Sequence, residues 1–295
     1  MQQADFLSAV CFYLKVGENL NQNWIVENLN NAFSTWNGKL GELWGLVTTG
    51  PQTFKGGAVW SVMQTLHNGM VGIGYALVVL FFAISLCKNT MNFHELKRPE
   101  AAIHYLIRFV AAKALVGYDM DIMLNVYPTV TGIVTDMADS MGGISEAMVS
   151  LPAEMQTAIE NVGFLASIPL WLVTILGSLF ITVLSFVMIL TVYGRFFRLY
   201  MYTALAPLPL AAFAGESTQS VGISFLKSYV GVCLEGAVIV LACVIYSAFV
   251  STPTVASGEA TTIVWSYLAE TVFNMLVLVG LIKGSDRIIH EMMGL

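Results

Sequence analysis

The chain has 295 residues, 57% hydrophobic and only 11% charged, with a mean hydropathy of +0.74 and a net charge of −6. Soluble domains carry about 25% charged residues, so a water-facing globular enzyme is excluded. The acidic balance also excludes a nucleic-acid surface of clustered Lys and Arg. The length has to be divided into the spans of an all-α, polytopic membrane protein.

Residues 1–57 read as an amphipathic N-terminal region. Asp5 precedes the short apolar run from Phe6 to Leu14, and no Lys or Arg comes before Lys15. A secretory signal needs a basic leader, so none is expected. Trp24, Trp36 and Trp44 are scattered among Asn, Gly and acids, and Phe6, Val10, Tyr13, Leu14, Leu20 and Trp24 recur near helical spacing. Two readings stay open: helices lying at the membrane surface or against a partner, and a small packed helical hairpin.

Residues 58–295 read as a transmembrane helical domain. A membrane helix needs about 20 mostly apolar residues. The first such stretch is 68–87, closed by Lys88. The second, 101–118, is apolar but carries His104, Arg108 and Lys113. Residues 119–160 form an acidic loop in which Met137, Met141, Ile144, Met148, Leu151 and Met155 recur at steps of three and four. The clearest span is 168–192. The segment 199–215 is short and contains Pro207 and Pro209. The last two spans are 228–250, interrupted by Glu235, and 262–282, interrupted by Glu270.

Lys and Arg placement orients such a chain. Lys88, Lys97 and Arg98 mark a cytoplasmic loop. No Lys or Arg occurs between Lys113 and Arg195, so the acidic loop is expected outside. Arg195 and Arg198 mark a return to the cytoplasm, and Lys283 and Arg287 a cytoplasmic C-terminus. Six full spans would put Lys283 and Arg287 outside. Five spans, with the N-terminus outside and 199–215 re-entrant or broken, fit every mark. Pro207 and Pro209 supply the reason, because each lacks a backbone N–H and disrupts helical bonding. Irregular backbone at membrane depth needs cover from protein or water. A Pro-kinked sixth span is the competing reading.

No zinc-protease, phosphate-loop or nucleophile-elbow pattern is present, so neither enzyme activity nor a cofactor is expected. Gly69-x-x-Gly72-x-Gly74 lies inside an apolar helix and reads as a close-packing surface, as does Ala211-x-x-x-Gly215. Cys11, Cys87, Cys233 and Cys243 read as small core hydrophobes. Charges at membrane depth face a bundle interior or water by default. Glu100, His104 and Arg108 recur at steps of four on one helix face, and Lys113 points to nearly the opposite side. That helix is expected to meet other helices, other subunits or an aqueous path, unless its cations simply reach the membrane surface. Glu235 and Glu270 lie in antiparallel spans at different depths and are not expected to pair. They fit acids hydrogen-bonded to neighbouring helices or subunits, or proton carriers of a transporter, although no symmetrical second half is present. The candidates for a substrate path or subunit contact are therefore Glu100, His104, Arg108, Lys113, Pro207, Pro209, Glu235 and Glu270.

The run Tyr202-Thr203-Ala204-Leu205-Ala206-Pro207-Leu208-Pro209-Leu210-Ala211, with Phe213-Ala214-Gly215-Glu216, Phe225-Leu226-Lys227-Ser228-Tyr229 and Cys233-Leu234-Glu235-Gly236-Ala237, resembles the core of TrbL-type conjugal transfer proteins. Lys97-Arg98-Pro99-Glu100 and Arg108-Phe109-Val110-Ala111-Ala112-Lys113 resemble the versions on Gram-positive conjugative elements. The resemblance runs from about Val59 onward. It implies a polytopic plasma-membrane subunit of a type IV secretion system, a channel or scaffold that forms homo-oligomers in the lipid bilayer. It further implies partners among the other secretion subunits, including cytoplasmic ATPases, and transient contact with a DNA–protein substrate. Regions 88–98 and 195–198 are suitable for the ATPase or scaffold contacts. A secondary transporter using Glu235 and Glu270, and a small pore former of the holin or toxin-immunity kind, are the alternatives.

Overall fold

The computed structural model describes residues 2–90, 99–140, 148–162, 164–249 and 260–295, and no strand occurs among them. Along the chain these residues form helices α1 (Gln2–Thr48), α2 (Ala58–Thr90), α3 (Pro99–Gly117), α4 (Asp119–Ser140), α5 (Ala153–Glu160), α6 (Phe164–Leu205), α7 (Pro207–Ala211), α8 (Gln219–Phe249) and α9 (Ala260–Met293). The all-α polytopic architecture read from composition is what the chain adopts.

Among the described residues, four helical stretches are long and apolar enough to cross a membrane: Phe54–Lys88, Ile168–Leu205, Gln219–Ser247 and Thr261–Met293. They contain the expected spans 68–87, 168–192 and 262–282, and residues 228–247 of the span expected over 228–250. The helix expected over 101–118 forms as α3, with 19 residues. It is not among the four, because Glu100, Arg108 and Lys113 crowd its short length. Lys97 and Arg98, which helped orient the chain, lie outside the described residues.

Two compact units divide the chain. One comprises Met1–Trp44, Met141–Thr191 and Leu241–Lys283. In it α1 is a single helix of 47 residues, rather than separate surface helices or a hairpin. Ile25, Leu29, Phe33, Trp36, Leu40 and Leu43 are buried at steps of three and four, the stripe that lets a helix bury one face. Asn28 donates to the Ser178 hydroxyl at 3.0 Å. The Asn37 side chain makes both backbone hydrogen bonds of Val149, at 2.8 and 3.0 Å, and the Tyr267 hydroxyl donates to the Ser150 carbonyl at 3.0 Å. These bonds fix the chain ahead of α5. From the stripe expected in the acidic loop, Leu151 and Met155 are buried but Met148 is exposed. Met137, Met141 and Ile144 lie outside the described side chains.

The other unit comprises Gly45–Ser140, Val192–Val240 and Gly284–Leu295. Its core gathers Val78, Val116, Met123, Leu199, Leu210 and Val232 from six helices. The corner between α1 and α2 is tied down within it. The Tyr127 hydroxyl donates to the Thr49 carbonyl and the Tyr200 hydroxyl to the Pro51 carbonyl, both at 2.7 Å. Phe54 stacks on Phe196 at 4.2 Å between centroids. Lys55 takes a left-handed conformation (φ 48°) that non-glycine residues seldom adopt. Its ammonium sits 5.1 Å from the Tyr193 ring centroid, a favourable cation–π contact.

Candidate functional site

Helix α6 ends at Leu205, the chain turns at Ala206, and Pro207 opens α7. A continuous helix would need N–H donors at positions 207 and 209 for the carbonyls of Thr203 and Leu205, and proline has none. The break is dressed in protein: Ala206, Pro207, Leu210 and Ala211 are all buried. The close approach is made at Gly74 of α2. A Cβ there would lie 2.8 Å from the Pro207 Cβ, 3.0 Å from the Pro207 carbonyl oxygen and 3.1 Å from a Val116 methyl of α3. Only a glycine lets α2, α3 and α7 meet at this distance. Gly69 and Gly72, by contrast, face open space, so one glycine of the expected three makes the contact. The far end of the break closes with Thr218, whose hydroxyl donates to the Ala212 carbonyl at 2.7 Å. Beside the break, Met201, Tyr202, Leu205, Leu208, Pro209 and Phe225, with Arg198, line an apolar cavity of about 390 Å³.

The same unit holds a cluster of buried charges. Glu235 of α8 is 1% exposed. Both its carboxylate oxygens accept hydrogen bonds from Arg198 Nη2 of α6, at 2.6 and 2.7 Å. The Ser285 hydroxyl of α9 donates to Glu235 Oε1 at 3.4 Å. The other Arg198 terminal nitrogen pairs with Asp286 of α9. Arg195 is fully buried and donates to the carbonyls of Val232 and Cys233, at 3.2 and 3.4 Å. Its guanidinium lies on bare backbone, because a Cβ on Gly236 would come within 2.7 Å of Nη1. It is also 5.8 Å from the Tyr127 ring centroid. Arg198 therefore holds both carboxylates while Arg195 rests on backbone carbonyls, and pairing of this kind is how charge is kept at membrane depth. Burial pushes the Tyr127 phenol above its ordinary value, and the Arg195 cation beside it opposes the shift without cancelling it.

A second buried pair joins α2 to α4. His67 Nε2 lies 3.0 Å from both carboxylate oxygens of Asp119, and Asp119 also accepts the Met120 backbone N–H at 2.7 Å. Asp119 is 1% exposed, so the first acid of the expected outer loop opens α4 from a buried position.

The remaining candidates disperse. Glu100 is the second residue of α3, and its side chain lies outside the described ones. His104 and Lys113 are exposed. Arg108 is half-buried, 3.8 Å from the exposed Glu216. Glu270 is exposed on α9 and belongs to the other compact unit from Glu235. Sequence reasoning missed His67 and Gly236, used Asp119 only as a mark of membrane side, and used Arg195 and Arg198 as such marks and as a place for ATPase or scaffold contacts. The available signal was Arg195-x-x-Arg198 at the end of an apolar run, on one helix face within reach of a buried acid.

No curated protein and no solved structure matches this chain. The model of the family described as TrbL/VirB6 plasmid conjugal transfer like protein matches residues 36–207, more than half of the chain. The match begins ahead of Val59 and stops at Pro207, so the Phe213, Phe225 and Cys233 segments lie beyond it. Four apolar helices and this match mark a multi-pass inner-membrane protein and a structural component of type IV secretion, and the chain belongs to the TrbL/VirB6 conjugal transfer family.

Proposed function

We propose that the chain is a channel or scaffold subunit of a conjugation apparatus and assists a DNA–protein substrate across the plasma membrane. Copies assemble with one another and with other secretion subunits. Cytoplasmic ATPases supply the energy, and region 88–98 receives their contacts; 195–198, expected to share that role, is taken up inside the subunit by the hydrogen bonds of Arg195 and the ion pairs of Arg198. Helix α3 crosses with the four apolar helices, which makes five crossings, an outer N-terminus and a cytoplasmic C-terminus. The subunit acts mechanically, without catalysis or cofactor.

The observation that carries this reading is the break at Pro207. A helix end at membrane depth has unbonded carbonyls that lipid cannot satisfy. Here the break packs on Gly74 and borders an apolar cavity, as a re-entrant element beside a path or a subunit seam does. Changing both Pro207 and Pro209 to alanine restores the missing donors and favours a continuous helix. Conjugation frequency then falls sharply while the protein still inserts and accumulates. Normal transfer at normal abundance would defeat the reading. Cysteine labelling tests the orientation: 119–160 reacts from outside, and positions beside Arg195 and Lys283 do not.

A further inference from the structure

The cavity beside the break is apolar along its length and charged at one end. Along α6 its lining starts at Arg198 and runs about 10 Å to Leu205, at ~1.5 Å per residue. Leu208 and Pro209 of α7 and Phe225 of α8 complete the apolar wall. Met201 and Leu205 are exposed, so the cavity opens on the apolar outer face of α6. Its volume of about 390 Å³ falls in the range of pockets that bury one small apolar ligand, roughly 300–1,000 Å³. It admits one hydrocarbon chain and not a whole lipid.

The charged end is accessible. Arginine presents five N–H donors in a planar fork. Glu235 and Asp286 each engage one terminal nitrogen of Arg198, and the Arg198 side chain stays 29% exposed. Donors therefore remain for a further oxygen. Asp286 is itself 42% exposed, with His290 on the same helix 3.7 Å from it. The cavity, Arg198, Asp286 and His290 all belong to one compact unit.

We infer, from the reading that places the break at membrane depth, that this cavity holds one acyl chain of a zwitterionic phospholipid, with its phosphate at Arg198 and its primary ammonium at Asp286. The bilayer core supplies hydrocarbon and no water to an apolar opening. A phosphate oxygen takes a charge-assisted hydrogen bond from a guanidinium, and basic positions between membrane helices recognise lipid headgroups in this way. Asp286 and Glu235 set the choice of headgroup. A purely anionic one would bring its charge next to two carboxylates, whereas an ammonium pairs with the accessible one. The chain then runs from Arg198 toward Pro209 and seals the side of the break against lipid and water alike.

The test uses the full chain, purified in mild detergent, stripped of lipid and titrated with phosphatidylethanolamine or phosphatidylglycerol of matched chains. Native mass spectrometry counts the lipid retained per chain. One phosphatidylethanolamine is expected, at a concentration at least several-fold below that needed for phosphatidylglycerol. Leu205→Trp fills the mouth of the cavity and is expected to abolish this retention. Leu190→Trp, also exposed but outside the lining, is expected to leave it unchanged. Asp286→Asn is expected to erase the preference for ethanolamine while a chain is still held. Should Leu205→Trp fail to accumulate, Met201→Trp fills the same mouth. Retention untouched by the filling variants, or lowered equally by Leu190→Trp, is annular lipid only and overturns the site. Equal retention of the two lipids by the wild type, or a preference that survives Asp286→Asn, overturns the headgroup pairing. Wild-type conjugation is scored separately: if transfer persists while no lipid is retained, the secretion role stands and the lipid site falls.

Discussion

Glu235 and Glu270 interrupt two apolar helices in the same way, and the fold treats them oppositely. Glu235 is buried, with both oxygens on Arg198 and Ser285 beside it. Glu270 is exposed on a face of Trp265, Phe273 and Leu276. One acid is an internal fastener joining α6, α8 and α9. The other is an exposed charge with no ion-pair partner among the described residues. Interruption of an apolar run therefore says that an acid must be satisfied, without saying by what.

The largest way to break the contrast is to truncate both acids. Removing one member of a buried ion pair strands the other charge and costs about 3–5 kcal/mol. Glu235→Ala should sit near the low end of that range, because Arg198 keeps Asp286. The readout is the thermal unfolding midpoint in mild detergent together with abundance in the membrane. The paired change Glu235→Leu with Arg198→Met should be less destabilising than Glu235→Ala, since no charge is stranded. A neutral Glu235→Ala would mean that this acid is no more fastened than Glu270.

Packing gives the next test of what is internal. Gly74 and Gly72 lie two residues apart on α2. A Cβ on Gly74 meets Pro207 at 2.8 Å, and one on Gly72 meets nothing within 4 Å. Gly74→Ala should destabilise by about 1–3 kcal/mol through overpacking. Gly72→Ala should be neutral or stabilising by up to about 1 kcal/mol through helix propensity. Gly236→Ala should resemble Gly74→Ala, because its methyl group would displace the Arg195 guanidinium from the Val232 and Cys233 carbonyls. Equal midpoints for the Gly74 and Gly72 variants would remove the close contact from the account.

Smaller again is the corner between α1 and α2. Tyr200→Phe deletes a hydroxyl that donates to the Pro51 carbonyl, and Tyr127→Phe deletes the donor to Thr49. Each loss should cost about 1 kcal/mol. Faster limited proteolysis within residues 49–57 is the local readout. Unchanged cleavage would show that the corner is held by Phe54 on Phe196 rather than by these bonds.

What could be read from the sequence divides along the same line. Local chemistry was legible. Two prolines announced a break, and the structure turns at Ala206. A glycine run announced close packing, and Gly74 makes it. Apolar runs announced the four long helices. Pairings between distant segments were not legible. Glu235 finds Arg198 from 37 residues away, and His67 finds Asp119 from 52. No periodicity encodes such pairs, because they depend on which helices pack together. The burial of Asp119 was missed for that reason: its run of neighbouring acids reads as an outer loop until α2 brings a histidine to it. The single long α1 was hidden likewise, since its Asn and Gly residues lower its apolar contrast although Trp36 and Leu40 are fully buried.

The smallest expected effect on folding is the sharpest test of the contrast. Glu270→Gln changes an exposed charge with no ion-pair partner among the described residues. Surface substitutions of this kind stay within about 0.5 kcal/mol, so the unfolding midpoint of the isolated subunit should not move. The amide keeps the shape of the acid but not its charge, so any defect reports the charge alone. If the partner lies outside the subunit, the loss appears in assembly: a smaller particle in mild detergent and fewer transconjugants at unchanged abundance. A midpoint shift comparable to that of Glu235→Ala would instead make Glu270 a second internal fastener, and the two acids would then differ in exposure but not in role.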